Sequence, residues 1–173
     1  MMRFLTLLTI TVMLSVGASA QTVLGFTSFE EPGTGGQYTD VSGSTTFHAL
    51  VNNAGEAPVN YTSTGGELGF ESFHEDDGLA DGDFVGVTGF TGAVGSYTDG
   101  TQGFQMSDTD GEMRTETDGV LLAGHSNYTL TLDYFVNSTG YESSDDLLIL
   151  VWDGTDTTHV VSARDMDAAF DGG

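Results

Sequence analysis

Apolar and polar residues alternate with a period of two along most of this chain. Successive side chains of a strand point to opposite faces, so this alternation predicts β-strands that bury one face. No window of about a dozen residues carries the apolar stripe of an amphipathic helix. We therefore predict strands, each bounded by Gly or Asp turns, at residues 23–29, 67–73, 83–90, 103–107, 112–117, 127–136, 146–152 and 159–161.

Two of these segments differ in how their apolar residues are placed. Residues 127–136 alternate most clearly, with Tyr128, Leu130, Leu132, Tyr134 and Val136 on one face. The other face of that segment is polar, which is typical of a half-buried antiparallel strand. Residues 146–152 are apolar on both faces and predict a strand in the middle of a sheet that is covered on both sides. The Asp-Gly turn at 153–156 then predicts a hairpin to residues 159–161.

Many short strands with no helix predict an all-β fold, in which residues 21–173 form one two-sheet antiparallel sandwich. The long connections favour the jelly-roll type over the immunoglobulin-like type. The most apolar strand lies close to the C-terminal end, where a sandwich needs further strands to protect its edge. We therefore expect the module to be truncated at that end, the alternative being a complete fold with a frayed tail. Residues 31–66, rich in Gly, Thr, Ser and Asn, are the least patterned stretch.

The first 20 residues have the three parts of a secretion signal. Arg3 gives a charged start, residues 4–16 are apolar, and small residues at 18–20 form a cleavage site. The apolar run is shorter than the roughly 20 residues that a bilayer-spanning helix needs. We therefore predict a signal peptide at residues 1–20, cleavage after Ala20, secretion, and no membrane association after cleavage.

The charge balance of the chain restricts its partners. It has 26 acidic residues, three basic residues and no cysteine, with a formal net charge of −23. Absence of cysteine excludes a disulfide framework and thiol chemistry. Nucleic acid and anionic membranes both require basic patches, which this composition does not supply. Divalent cations and neutral ligands such as glycans are the partners that this composition allows.

Calcium is the favoured cation, because it takes six to eight oxygen ligands from carboxylates, carbonyls and water. Four acidic clusters lie at Gly-rich turns: Glu30 and Glu31; Asp76, Asp77, Asp81 and Asp83; Asp108, Asp110 and Glu112; and Glu142, Asp145 and Asp146. None has the full EF-hand pattern. Each cluster alone is also explained as a solvated turn. Four crowded clusters without lysine favour at least one calcium ion, and the predicted ligands are Glu30, Glu31, Asp108, Asp110, Glu142, Asp145 and Asp146.

A family resemblance rests on five short runs in order, residues 28–32, 60–70, 81–87, 107–111 and 132–136. Together they resemble an accessory β-sandwich module of secreted, mostly marine bacterial proteins, found beside lamin-tail domains and extracellular nucleases or other hydrolases. The resemblance implies a jelly roll with two further strands beyond Gly173 and a structural calcium, for which Glu30 and Glu31 are the best candidates. It also implies that the module is not the catalytic part.

Few residues of the chain have the types and spacing that catalysis or sugar binding needs. Glu112 and Glu116 lack the intervening Asp of a laminarinase-type pair, and the four histidines stand alone, so we predict no enzyme. Sugars stack on exposed rings, and the candidate ligand-binding residues are Tyr141, which its loop position favours, and Tyr97. Trp152 is expected to pack in the core or at the sheet edge, because it continues the most apolar strand. We predict a secreted binding module for carbohydrate or another extracellular polymer, as the N-terminal part of a larger protein. The alternatives are a structural or adhesion module acting through cations and, third, an extracellular hydrolase.

Overall fold

A computed structural model describes residues 21–75, 79, 82–92, 94–137 and 141–165. The predicted signal peptide, the acidic residues Asp76, Asp77 and Asp81, and the end of the chain from 166 onward lie outside the described residues. Every regular element in the described ranges is a strand. No helix long and apolar enough to cross a bilayer is found there.

The described residues form seven strands: β1 (His48–Ala49), β2 (Phe70–His74), β3 (Phe84–Thr88), β4 (Gly103–Ser107), β5 (Met113–Thr117), β6 (Leu147–Trp152) and β7 (Thr157–Ala163). All but β1 fall on predicted segments. The boundaries of β4 coincide with the prediction, because Gln102 and Asp108 flank a short alternating run. The predicted hairpin at 153–156 is confirmed, since β6 and β7 pair antiparallel on either side of that turn.

The strands form three antiparallel sheets. One has the order β1-β2-β5, and the other two are the pairs β3-β4 and β6-β7. The prediction of an all-β, antiparallel protein is confirmed. The sheets are small, so the finer prediction of a jelly-roll sandwich stays a prediction.

Much of the hydrophobic core comes from residues 31–66, the least patterned stretch of the sequence. Its buried residues are Tyr38, Leu50, Val59, Leu79 and Val85, with Phe104 and Met113 packed against them. Three of them come from residues 31–66. Asparagine side chains add to the little backbone pairing in that stretch: the Oδ1 of Asn52 accepts hydrogen bonds from the N–H groups of Val59 and Asn60, both at 2.9 Å. Side-chain hydrogen bonds to the backbone thus hold this irregular segment in place.

The structure differs from the prediction for two of the predicted strands and for the surroundings of β6. Residues 23–29 and 127–136 belong to no sheet among the described residues. In the second segment, the alternating residues Leu130, Leu132 and Tyr134 line one groove, but no strand of the described residues pairs with the segment. Strand β6 pairs only with β7 in the described part, and the side chains from Leu150 to Trp152 are exposed. The prediction that both faces of β6 are covered is wrong for the described residues.

Candidate functional site

The β6-β7 hairpin presents two faces of different character. Side chains alternate along β6, so Leu148, Leu150 and Trp152 share the face that we call the outer face. Their relative exposures rise toward the turn, at 36%, 46% and 70%. Trp152 is the only tryptophan of the chain, and its ring is the most exposed aromatic group of the hairpin. Together the three side chains form a contiguous exposed apolar patch, which is the kind of surface that marks interaction sites.

Polar side chains of β7 complete the outer face. Residues directly opposite each other in an antiparallel pair lie on the same face. The register places Thr157 opposite Trp152, His159 opposite Leu150 and Ser162 opposite Leu148, and all three polar residues are exposed. A bulge between Ile149 and Leu150 adds one residue, Val160, to β7. An exposed ring flanked by hydroxyl and imidazole groups can stack on one apolar surface of a ligand and hydrogen-bond to its edges.

The turn beside Trp152 is fixed by Asp153. Its Oδ1 accepts hydrogen bonds from the N–H groups of Thr155, at 2.9 Å, and Asp156, at 2.8 Å. The N–H of Asp153 donates to the carbonyl of Asp156 at 3.1 Å, and Gly154 takes the positive φ of 98° that the tight turn needs. The hydrogen bonds from Asp156 and Thr155 lower the pKa of the Asp153 carboxyl. This turn therefore holds the end of β6, and with it Trp152, in a defined position.

The opposite end of the hairpin is closed by Asp146, one of the predicted calcium ligands. Its carboxylate accepts hydrogen bonds from the Arg164 guanidinium and from the N–H of Asp165, the latter at 3.1 Å. The hydrogen bond from Arg164 is the main reason why the pKa of Asp146 is lowered. The side chain thus ties β7 back to the start of β6.

The N-terminal predicted calcium ligands accept hydrogen bonds from the protein itself. Glu30 accepts hydrogen bonds from the N–H groups of Thr101, at 2.5 Å, and Gln102, at 2.9 Å. The hydrogen bond from Thr101 is the main reason why the pKa of Glu30 is lowered. Glu31 accepts from the hydroxyl of Tyr61. Both carboxylates of this pair thus have hydrogen-bond partners within the protein.

The other predicted ligands are dispersed among turns. Asp145 accepts from the N–H of Glu142 at 2.8 Å, Asp108 takes a positive φ of 55°, and the carbonyl of Asp110 accepts from His74. No three His, Asp or Glu side chains converge as a metal group within the described part of the chain. The donor sets there do not form a ready calcium cage, and calcium binding stays a prediction.

Glu67 is an important carboxylate that the sequence analysis did not single out. It is 3% exposed and accepts hydrogen bonds from the N–H groups of Ser28, Glu30 and Glu31, and from the hydroxyl of Ser28 at 2.6 Å. Burial alone would raise the pKa of Glu67, but these hydrogen bonds lower it. The Glu67 carboxylate therefore fixes the position of the Glu30-Glu31 segment. No local sequence signal marks Glu67, because its hydrogen-bond partners lie almost 40 positions away.

The two predicted ligand-binding tyrosines have different surroundings. The hydroxyl of Tyr97 donates to the carbonyls of Thr88, at 3.1 Å, and Phe90, at 2.8 Å, and burial raises its pKa. Its ring lies over Gly103, where an added Cβ would come within 2.8 Å of it. Tyr141 is half-buried just before β6. The structure does not bring the two rings together on the outer face, and their role in binding stays a prediction.

A serine, a histidine and an aspartate meet elsewhere, at the start of β1. The Nε2 atom of His48 lies 2.9 Å from the Ser42 hydroxyl and 2.8 Å from Asp40, while its Nδ1–H donates to the carbonyl of Thr46. In a catalytic triad the carboxylate binds Nδ1 and the serine binds Nε2. Here both groups contact the same nitrogen, so this trio has the geometry of a loop contact.

Comparisons with protein-family models, with curated proteins and with solved structures found no match to this chain. The resemblance to accessory β-sandwich modules therefore stays a prediction. Trp152 and its polar neighbours were missed because the apolar run of β6 indicated a buried strand. The signal that finds them is the register set by the Asp-Gly turn, which places Thr157 and His159 beside Leu150 and Trp152.

Proposed function

We propose that the chain is a secreted, non-catalytic binding module that holds a neutral polysaccharide on the outer face of the β6-β7 hairpin. The observation that carries this proposal is the 70% exposed Trp152 beside the exposed polar side chains Thr157 and His159. Sugar rings have an apolar face that stacks on an indole and hydroxyl groups that pair with polar side chains.

The charge of the chain narrows the class of polysaccharide. With 26 acidic and three basic residues, it repels uronic-acid or sulfated polymers. The described arginines do not change this, because Arg164 pairs with Asp146 and Arg114 with Glu116. A neutral chain such as a glucan or chitin avoids the repulsion.

Calcium stabilisation is a separate part of the proposal and does not depend on the outer face. The predicted acidic ligands lie in turns, where a cation would reduce repulsion between carboxylates. A structural or adhesion module, in which cations link the acidic turns to a matrix, is the second candidate. It is favoured by the dispersed carboxylates, but it leaves the exposed Trp152 without a role.

Affinity electrophoresis in gels containing a neutral glucan, soluble chitin or alginate tests the proposal. We expect retardation by at least one neutral polymer and none by alginate, which is anionic. Trp152→Ala should abolish the retardation, because an exposed aromatic platform contributes most of such a contact. Tyr128→Ala is the matched control, since it removes an exposed ring outside the hairpin. Equal retardation of Trp152→Ala and the unmodified protein would overturn the proposal.

A further inference from the structure

An open apolar groove lies on the side of the hairpin opposite Trp152. It has a volume of about 490 Å³. Leu130, Leu132 and Tyr134 line one side, and Val151, Val160 and Val161 line the other. Val151 alternates with Trp152 along β6, so the groove and the outer face are separate surfaces. Its lining is mostly aliphatic, unlike the ring and polar groups that a sugar requires.

Most of the side chains that line the groove are exposed, and one side of it is formed by residues outside the sheets of the described part of the chain. Leu130 is 67% exposed, and Leu132, Tyr134 and Val160 are also open to solvent. Residues 129–136 belong to no sheet in the part of the chain that the structure describes. Alternate side chains of this segment face the groove, so an extended polypeptide beside it can match the same two-residue spacing and pair with its backbone.

Charge selects among the possible occupants. The Val151 end of the groove adjoins the turn that carries the carboxylates of Asp153 and Asp156. A second copy of this chain would bring its own net charge of −23 against these groups. A basic segment would instead be attracted to them, and the attraction would speed its association.

We propose that this groove docks an extended segment of another secreted protein in which apolar residues alternate with lysine or arginine. The apolar side chains fill the groove between the 130–134 segment and the hairpin. The basic side chains lie toward Asp153 and Asp156. This partner site is distinct from the polysaccharide face and does not depend on it.

Fluorescence anisotropy with labelled synthetic peptides tests the proposal. The probe is a strand-length peptide of about ten residues that alternates lysine and valine. One comparison peptide replaces valine with serine, and another replaces lysine with glutamate. We expect the Lys-Val peptide to bind at least about tenfold more tightly than either, a difference of about 1.4 kcal/mol, and to weaken in high salt.

Paired leucine variants locate the site. Leu130→Ser with Leu132→Ser should weaken Lys-Val binding about tenfold. Leu148→Ser with Leu150→Ser makes the same chemical change on the outer face and should leave peptide binding unaltered. All four leucines are exposed, and a circular-dichroism melt checks folding. Val160→Ser, on the other side of the groove, is expected to weaken binding as well.

Several results would overturn the proposal. Equal binding of the Lys-Val and Lys-Ser peptides would show a charge effect without the groove. A dimer in light scattering that Leu130→Ser with Leu132→Ser dissociates would assign the groove to a second copy. Peptide binding that requires removal of residues 166–173 would assign the groove to the chain's own end.

The groove and the outer face are tested separately. Retention of peptide binding in a protein that binds no polysaccharide would support the groove and refute only the outer-face function.

Discussion

Glu67 shows how one buried side chain can organise a segment that has no regular structure. Its carboxylate binds the backbone of residues 28–31, where Phe29 has a left-handed φ of 60°. The Phe29 ring packs against Phe70 and Phe104, with centroids 5.5 and 5.8 Å apart. The carboxylate and the aromatic cluster therefore hold the same turn from two sides.

Replacement of Glu67 should destabilise the protein without changing its shape. Glu67→Gln keeps the volume but removes the charge that four hydrogen-bond donors share. We predict a loss of about 1–3 kcal/mol in the free energy of unfolding, measured by urea denaturation. Glu71→Gln, at an exposed position of β2, is the control and should change stability by less than about 0.5 kcal/mol. Equal losses in the two variants would contradict this account.

The contact between Asp40 and His48 should make stability depend on pH. Burial acts to lower the pKa of His48, but hydrogen bonds to Thr46 and Asp40 and the charge of Asp40 raise it above 6.5. Burial acts to raise the pKa of Asp40, but hydrogen bonds from Ser42 and His48 lower it below 3.8. The histidine contribution is lost as pH rises through its folded pKa, and the aspartate contribution is lost as pH falls through its own.

The pair therefore stabilises the protein most between pH 3.8 and 6.5, the reference values of the two groups. We expect His48→Gln to cost up to about 1 kcal/mol at pH 5.5 and less at pH 8. Denaturation curves at the two pH values measure this difference. A variant whose loss of stability is the same at both pH values would show that His48 acts only through packing.

At the scale of the strand, Gly86 lets β3 approach a neighbouring loop. Its φ is +119°, and an added Cβ would lie 2.8 Å from the carbonyl of Pro58, which accepts a hydrogen bond from Val87. We predict that Gly86→Ala lowers the free energy of unfolding by about 1–3 kcal/mol. Gly119→Ala is the control, because nothing lies within 4 Å of its added Cβ. A thermal melt in which Gly86→Ala equals Gly119→Ala would refute the close approach.

Local pattern predicted the paired strands well and the unpaired segments poorly. The strands β2 to β7 alternate or end at clear turns, and both properties are local. Residues 23–29 and 127–136 alternate as clearly, but a strand also needs a neighbour with free backbone groups, which local sequence does not reveal. The core residues Tyr38 and Val59 were missed for a related reason, because single backbone bridges and side-chain hydrogen bonds between residues far apart in sequence hold their loops.

At the site, the sequence did not indicate which rings are exposed. Trp152 was expected to pack in the core or at the sheet edge, whereas it is 70% exposed. Tyr97 was a candidate for ligand binding, and its hydroxyl contacts two backbone carbonyls. Likewise, acidic residues at turns indicated calcium ligands, while Asp146 and Glu30 bind groups of the protein itself.

The whole molecule carries a charge of −23, so cations should affect its stability. If calcium binds a specific site, its addition should raise the melting temperature by several degrees, because a ligand at 100 times its Kd contributes about 2.7 kcal/mol. Magnesium at the same concentration is the control, since it demands stricter octahedral geometry and keeps more of its water. Calorimetry that shows equal shifts with calcium, magnesium and sodium at matched ionic strength would assign the effect to screening alone.

The central claim is that the exposed Trp152 holds a neutral polysaccharide, and the fluorescence of this single tryptophan reports on it directly. Titration with a soluble neutral glucan or chitin oligosaccharide should shift the emission to shorter wavelength and saturate, because the ring leaves water on binding. His159→Ala should weaken the titration while preserving the ring. Emission that stays unchanged across neutral polymers, in a protein shown by circular dichroism to be folded, would contradict the account.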